Sequence, residues 1–255
     1  MLPTPELSYP KDGNERYFQL EDRSFWFLHR NACILATLKR FPPQGTLMDV
    51  GGGNGFVTRG ILDGGYQASL IEPGPTGAYN AKVHRRIPDV YCMTFEALGP
   101  APDSVGAIGC FDVLEHIADP AALVSSFHAA LRPGGHLYLT LPAHSWLWSA
   151  SDKDAGHYRR YGRAEIAKLL SPGFEIQYAT ALFSILTLPV LLVRSIPYRL
   201  GLGSGSLRPE AEHGVSKGLV SRWIARRLEK EVAGIRAGRR LRMGTSYLVV
   251  ARKKP

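Results

Sequence analysis

Residues 47–56 read Leu-Met-Asp-Val-Gly-Gly-Gly-Asn-Gly-Phe (LMDVGGGNGF): a short apolar run containing Asp49, then four glycines in five positions. Glycine adopts left-handed backbone conformations without a Cβ penalty, so such a loop turns sharply and lets a ligand approach the N–H groups that open the next helix. A nucleotide-like ligand is implied. The spacing is G-x-G-x-G over Gly51, Gly53 and Gly55, not the G-x-G-x-x-G of dinucleotide-binding loops. A glycine-rich turn at a bulge would carry the same letters, and the flanking sequence decides between the two.

Working outward, Thr46 to Val50 reads as a strand, Val57 and Ile61 mark a helix ending at Gly64-Gly65, and Ala68 to Ile71 reads as a second strand closed by Glu72-Pro73. This β-α-β order predicts a parallel sheet. Glu72 follows the glycine loop by about twenty residues, the place where an acid can accept both hydroxyls of a ribose. As the alternative, it is a surface residue before a turn. Strands are expected near Val90 to Met93 and over Val105 to Phe111. Asp119-Pro120 then supplies an N-cap and a first-turn proline for a helix with Leu123, Val124, Phe127 and Leu131 on one face. Arg132-Pro133-Gly134-Gly135 stops it, and His136 to Leu141 is a fifth strand. Upstream, Leu28, Ala32 and Leu35 predict a helix within 20–40, between Glu21-Asp22 and Phe41-Pro42-Pro43.

The second half is less periodic. Residues 142–163 are dense in aromatic and charged side chains, which suits an ordered loop or lid. Trp148, Tyr158 and Tyr161 offer apolar walls for a substrate, and Arg159 or Arg160 can hold an acidic group; alternatively these arginines pair with Asp152 or Asp154 and lock the lid. Phe174 to Tyr178 is expected to be a sixth strand. Ala179 to Val193 is strongly apolar, yet shorter than the ~20 residues that span a bilayer and interrupted by Pro189. Core, roof over the site and interfacial helix remain open for the run 179–200. Gly201 to Gly214 reads as a flexible excursion. Val220, Trp223, Ile224, Leu228, Val232 and Ile235 mark an amphipathic helix, and Ser246 to Ala251 a last strand.

A chain of 255 residues, 45% hydrophobic, is long enough for one α/β domain with additions. Its three cysteines, Cys33, Cys92 and Cys110, are too few and too scattered for a disulfide framework, and the eight histidines show no ligand spacing, so no metal site is expected. The first residues contain no basic stretch followed by an apolar core, and the cytoplasm is the expected setting. The net charge of +9 lies largely after residue 193. It fits a solvated helix face, or a contact at the inner face of a membrane. No nucleic-acid partner is expected, because the basic residues fall on one helix and a tail. Nothing in the residues fixes an oligomeric state.

The glycine loop and Glu72, together with FDVLEHIADP (Phe111 to Pro120), LRPGGHLYLTLP (Leu131 to Pro142), GHYRRYGRAEIAKLL (Gly156 to Leu170) and MGTSYLVVARK (Met243 to Lys253), resemble the class I S-adenosylmethionine-dependent methyltransferases. The LEH-I-x-D-P and L-x-P-G-G elements are typical of the subgroup that includes the ubiquinone O-methyltransferases. The resemblance implies a doubly wound, Rossmann-like, mostly parallel sheet of seven strands with the last antiparallel. It implies a helical cap over 1–44 and a methyltransferase domain over 45–255, with the lid at 142–163 and an insertion at 179–240. The cofactor is then S-adenosyl-L-methionine. Gly51, Gly53 and Gly55 would pass beneath its methionine and ribose, with Asp49 beside the loop; Glu72, followed by Pro73, would hold the ribose hydroxyls. Phe95 and Glu96 would flank adenine, although MTFEAL lacks the Asp common two positions before that Glu. Asp112 and Val113 would face the cofactor, and Arg30 would pair with the methionine carboxylate or lie solvated on its helix. The implied reaction is methyl transfer to a small-molecule acceptor, most simply to oxygen, or else to a lipid-like substrate; RNA modification is a weaker reading. A hydroxyl acceptor needs a base, for which His116 and His157 are candidates. His116 can instead cap the Asp119 turn, and His157 can be a hydrogen-bonded lid residue.

Overall fold

The computed structural model describes residues 13–202 and 219–254. Seven strands, β1 (Leu47–Val50), β2 (Ala68–Ile71), β3 (Val90–Tyr91), β4 (Val105–Phe111), β5 (Leu131–Pro142), β6 (Phe174–Leu182) and β7 (Ser246–Lys253), form one sheet in the order β3-β2-β1-β4-β5-β7-β6. β1 pairs in parallel with β2 and β4, and β4 with β5, while β7 runs antiparallel between β5 and β6. This is the expected doubly wound sheet with an antiparallel last strand. Both faces are covered, so β4 reads VGAIGCF and is buried throughout.

Two apolar layers hold it. On one face Leu123, Val124 and Phe127 of α6 (Pro120–Ala130) and Ile166 and Leu170 of α8 (Arg163–Leu170) pack on the sheet. On the other lie Cys33, Ile34 and Leu38 of α2 (Phe25–Arg40), Val57 and Ile61 of α3 (Phe56–Asp63), and Leu228 and Ile235 of α11 (Leu219–Arg236). The two-residue period of a strand sends Tyr247, Val249 and Ala251 into the first layer and Leu248 and Val250 into the second.

Several boundaries differ from the sequence reading. The helix expected within 20–40 begins at Phe25, where the Ser24 hydroxyl accepts from the Trp26 N–H, and a further helix, α1 (Gly13–Glu21), precedes it. Arg132 to Gly135 does not delay β5: Leu131 pairs with Val105 and His136 with Ala107, so the intervening residues form a bulge inside the strand. The apolar run from Ala179 is not one element. Its first four residues finish β6, paired with Val249 to Ser246, and Phe183 then turns the chain with a left-handed φ of 56° into short helical segments, α9 (Thr187–Val190) and α10 (Ile196–Arg199). The lid, expected without regular structure, holds a helical turn at Ser145–Leu147 and α7 (Ala150–Asp154). The part of the glycine-rich excursion after Leu202 lies outside the described residues.

Candidate active site

The chain reverses its direction of winding between β1 and β4, and the crevice outside the carboxyl ends of such strands is where open α/β sheets bind ligands. The glycine loop leaves β1 there. Gly51 has φ 73°, and a Cβ on it would meet Val113 Cγ2 at 2.7 Å; Gly55 has φ 80°, and its Cβ would meet Ile87 Cδ1 at 2.4 Å. Backbone conformation and space both require glycine at these two positions. The Glu72 carboxylate, nearly buried at the end of β2, accepts from the N–H of Gly53 at 2.9 Å and of Gly74 at 2.7 Å. Burial raises its pKa, and those two hydrogen bonds oppose the rise.

Asp49 is buried on β1 and accepts from the Thr58 hydroxyl at 2.6 Å. Its pKa is pushed up to about 6 by burial, against the hydrogen bond from Thr58 and the charge of Arg30. Arg30 leaves α2 to pair with Asp112 and lies 5.3 Å over the Phe27 ring. Its Nε is buried with no hydrogen-bond partner. Asp112, just beyond β4, has φ 55°, a strained conformation for a side-chain-bearing residue and one that recurs at functional sites. Phe95 and Glu96 are not brought to the same surface: Phe95 is buried edge-on to Phe127 in the core, and Glu96 is exposed.

One element that sequence reasoning missed closes on this loop. Asn54 donates to the Asn14 carbonyl at 2.8 Å and to Glu21 at 3.1 Å, and accepts from Asn80 at 2.9 Å. Thus α1 is fastened over the glycines. His144, at φ 61° just beyond β5, stacks on Trp146 with 4.9 Å between centroids and sits 3.3 Å from the Tyr247 hydroxyl; only its unusual backbone angle, invisible in sequence, marks it.

The lid is sewn to the turn after β4. Tyr158 N–H donates to the Glu115 carbonyl, Tyr161 hydroxyl to Leu114 and Arg159 to Ala118. Arg160 donates to Asp152 at 2.7 Å and to the Ala143 carbonyl, the locking role rather than a free anion grip. Tyr161 is part of the core, Tyr158 is exposed, and Trp148 is half-buried.

Within this seam the rings of His116 and His157 meet edge to face at 4.8 Å. Asp152 is buried; burial would raise its pKa, but the hydrogen bond from His157 and the Arg160 charge prevail and hold it below the ordinary value. An ionised carboxylate only accepts, so the 3.0 Å contact makes His157 Nδ1 the donor and leaves Nε2 with a lone pair when the ring is neutral. His116 is held down to about 4 by burial and by His157, and is therefore neutral at pH 7. Glu115 is buried with Oε2 unpartnered, and burial together with Asp112 pushes its carboxyl well up. Although the histidines are scattered along the chain, folding brings ligand atoms of Glu115, His116 and His157 within 4.8 Å of one another.

These shifts bear on stability. Between pH 6.5 and about 4 the unfolded chain protonates His116 and the folded chain does not, so its contribution falls on acidification. Asp49 acts oppositely: its folded carboxyl takes a proton near pH 6 and its unfolded one near 3.8, so stability is gained as pH falls through that window. Asp49→Asn removes the gain and leaves the loss. Urea unfolding is expected to show the variant losing up to about 3 kcal/mol against the unsubstituted chain between pH 7 and pH 4. A difference that does not change with pH would mean that Asp49 does not titrate there.

The profile of the family described as methyltransferase domain matches residues 25–176, more than half of the chain. The chain belongs to the class I S-adenosylmethionine-dependent methyltransferases. Among curated relatives of this methyltransferase, the ubiquinone biosynthesis O-methyltransferase of Idiomarina loihiensis is 31% identical over 110 residues, 40% of this chain and 45% of that protein. That of Methylobacterium sp. is 33% identical over 94 residues, 35% of this chain and 38% of the relative. Each match spans less than half of the relative's length. Among solved structures, an S-adenosylmethionine-dependent methyltransferase of Thermotoga maritima superposes with a TM-score of 0.58 at 17% identity, covering 94% of both chains. Phosphoethanolamine N-methyltransferase 2 of Haemonchus contortus, in complex with S-adenosyl-L-methionine, gives 0.55 at 19% identity over 98% of this chain and 58% of that one. At such identities the likeness shows the fold. Among the described residues of the methyltransferase no helix is long and apolar enough to cross a membrane.

Proposed function

We propose that this enzyme transfers a methyl group from S-adenosylmethionine to an oxygen of a small-molecule acceptor, with His157 removing the acceptor's proton. The residues fit the cofactor: the unpartnered, buried Nε of Arg30 suits its carboxylate, and the Glu72 oxygens, each already held by one N–H, retain lone pairs for the ribose hydroxyls. In this reading Gly51, Gly53, Gly55, Asp49, Pro73, Asp112 and Val113 line the same cleft, and Trp148 stands on the acceptor side. When bound, S-adenosylmethionine supplies an electrophilic methyl on a sulfonium, which becomes a neutral thioether on transfer. The chain's share is alignment, exclusion of water and custody of one proton. The observation that carries the assignment of the base is the buried Asp152, which fixes Nδ1–H of His157 and presents Nε2, the logic by which an acid orients a histidine base. His116, neutral beside it, keeps a second positive charge away. Radiolabelled S-adenosylmethionine offered with a panel of phenols, amines and carbon acids tests the acceptor class: label is expected in phenolic ethers, and exclusive labelling of nitrogen or carbon would overturn the oxygen assignment.

A second reading concerns where the acceptor comes from. A roof over the site would bury the apolar run, yet Leu188, Leu192, Val193 and Leu200 are each more than half exposed among the described residues. Exposed large apolar side chains beside Arg194, Arg199 and the cationic α11 support peripheral contact with an anionic membrane face and an acceptor with an apolar tail. The full chain is expected to cosediment with phosphatidylglycerol-containing vesicles at low salt and to be released as salt screens the charges. Complete recovery in the supernatant at low salt would reject membrane contact.

A further inference from the structure

His29 and Cys33 stand one turn apart on α2, so their side chains leave the same face of the helix. α11 supplies Glu231 opposite them. All three are buried, at 7%, 0% and 6% exposure. Nε2 of His29 lies 2.9 Å from Oε1 of Glu231 and 3.4 Å from Sγ of Cys33, and the three donor atoms all lie within 4.8 Å of one another.

A ring nitrogen carries either one proton or one lone pair. Protonated, Nε2 satisfies the carboxylate but turns no acceptor toward the thiol; unprotonated, it sets a lone pair against a carboxylate oxygen. Three atoms that ligate metals as imidazole nitrogen, thiolate sulfur and carboxylate oxygen thus converge in one buried place. The carboxylate is itself held in place: Oε1 accepts from Phe183 N–H at 2.7 Å, and Oε2 from Ser184 N–H at 3.0 Å and Oγ at 2.8 Å. Hydrogen bonds of this kind are what orient a metal-ligating carboxylate.

We propose that His29, Cys33 and Glu231 bind a divalent transition ion of the zinc class and tie the cap helix α2 to α11. The mixed nitrogen, sulfur and oxygen set suits zinc or cobalt and not the all-oxygen preference of magnesium or calcium. Bond lengths of about 2.0–2.3 Å set tetrahedral ligand atoms roughly 3.3–3.6 Å apart, within a few tenths of an ångström of the two distances seen. Three protein ligands leave a fourth position for water. On binding, the Cys33 S–H bond breaks, the sulfur keeps the pair as thiolate for the metal, and one proton passes to solvent. The assignment is independent of the acceptor and of the base.

The test is a cobalt titration of the full chain after chelator treatment and dialysis. One ion per chain is expected, with the visible bands of tetrahedral cobalt and a thiolate-to-cobalt charge-transfer band in the near ultraviolet. Cys33→Ser should lose the charge-transfer band, Glu231→Gln should weaken binding at least tenfold, and zinc should raise the thermal midpoint of the unsubstituted chain but not of Cys33→Ser. Should Cys33→Ser not fold, Cys92→Ser and Cys110→Ala decide by the opposite sign: a band retained in both supports the site and a band lost in either overturns it. Absence of cobalt absorption in the folded chain would overturn it, as would a thiolate band that survives Cys33→Ser. So would cobalt bands without a thiolate component that vanish in His116→Gln, since the ion would then sit with Glu115, His116 and His157.

Discussion

Glu72→Ala is expected to weaken binding of S-adenosylhomocysteine by about 100-fold or more. The proposed bonds to the ribose hydroxyls end on an ionised acceptor, where each is worth roughly 1.5–3 kcal/mol. Truncation also strips the acceptor from the Gly53 and Gly74 N–H groups, which loosens the loop that carries the remaining contacts. Calorimetry with the product analogue reads this directly and needs no acceptor. Glu72→Gln should fall between the two, because an amide oxygen can still accept one of the N–H groups while the negative charge is gone. An affinity unchanged within threefold would remove Glu72 from the binding role, and tighter binding of NAD than of S-adenosylhomocysteine would overturn the assignment of the cleft.

The second large effect is expected at the histidine pair. A positioned base contributes about 10²–10⁴ in rate, so His157→Gln should lower kcat by that range while leaving the affinity for S-adenosylhomocysteine intact. The split matters: a residue that only sews the lid to the β4 turn would change binding and stability along with rate. Asp152→Asn should act more weakly on the proton and more strongly on the fold, because it also takes a charge from Arg160 and two acceptor contacts from Ser149. If kcat of His157→Gln stayed within threefold and that of His116→Gln collapsed, the base would be His116.

The half of the site that is contiguous in sequence was readable there. Apolar run, glycines, helix and Glu72 follow one another within 26 residues, and each link depends on local backbone geometry. Elsewhere the deciding partner is remote. Phe95 looks like a cleft residue until Phe127 covers it, and Ala179 to Leu182 looks like the start of a helical roof until β7 supplies its ladder. Asp152 had a local signal that went unused: Ser149-Ala150-Ser151-Asp152 is a capping box, with Ser149 N–H donating to the Asp152 carboxylate. Recognising it would have placed a helix inside the lid and put Asp152 on its first turn. No sequence pattern foretold that the same carboxylate would also hold His157 and Arg160.

The placement of β7 has a consequence for how the polypeptide matures on the ribosome. β5 and β6 are neighbours in sequence but not in space, since their shared partner is inserted between them and is made about a hundred residues after β5. At roughly 5–20 residues per second the two open ladders wait on the order of 5–20 s for it. Through that interval the nascent chain offers strand edges able to pair with a neighbour on the same message or with each other in the wrong register. Synonymous changes that alter elongation speed between codons 143 and 245 would therefore shift the yield of soluble enzyme without altering a single residue.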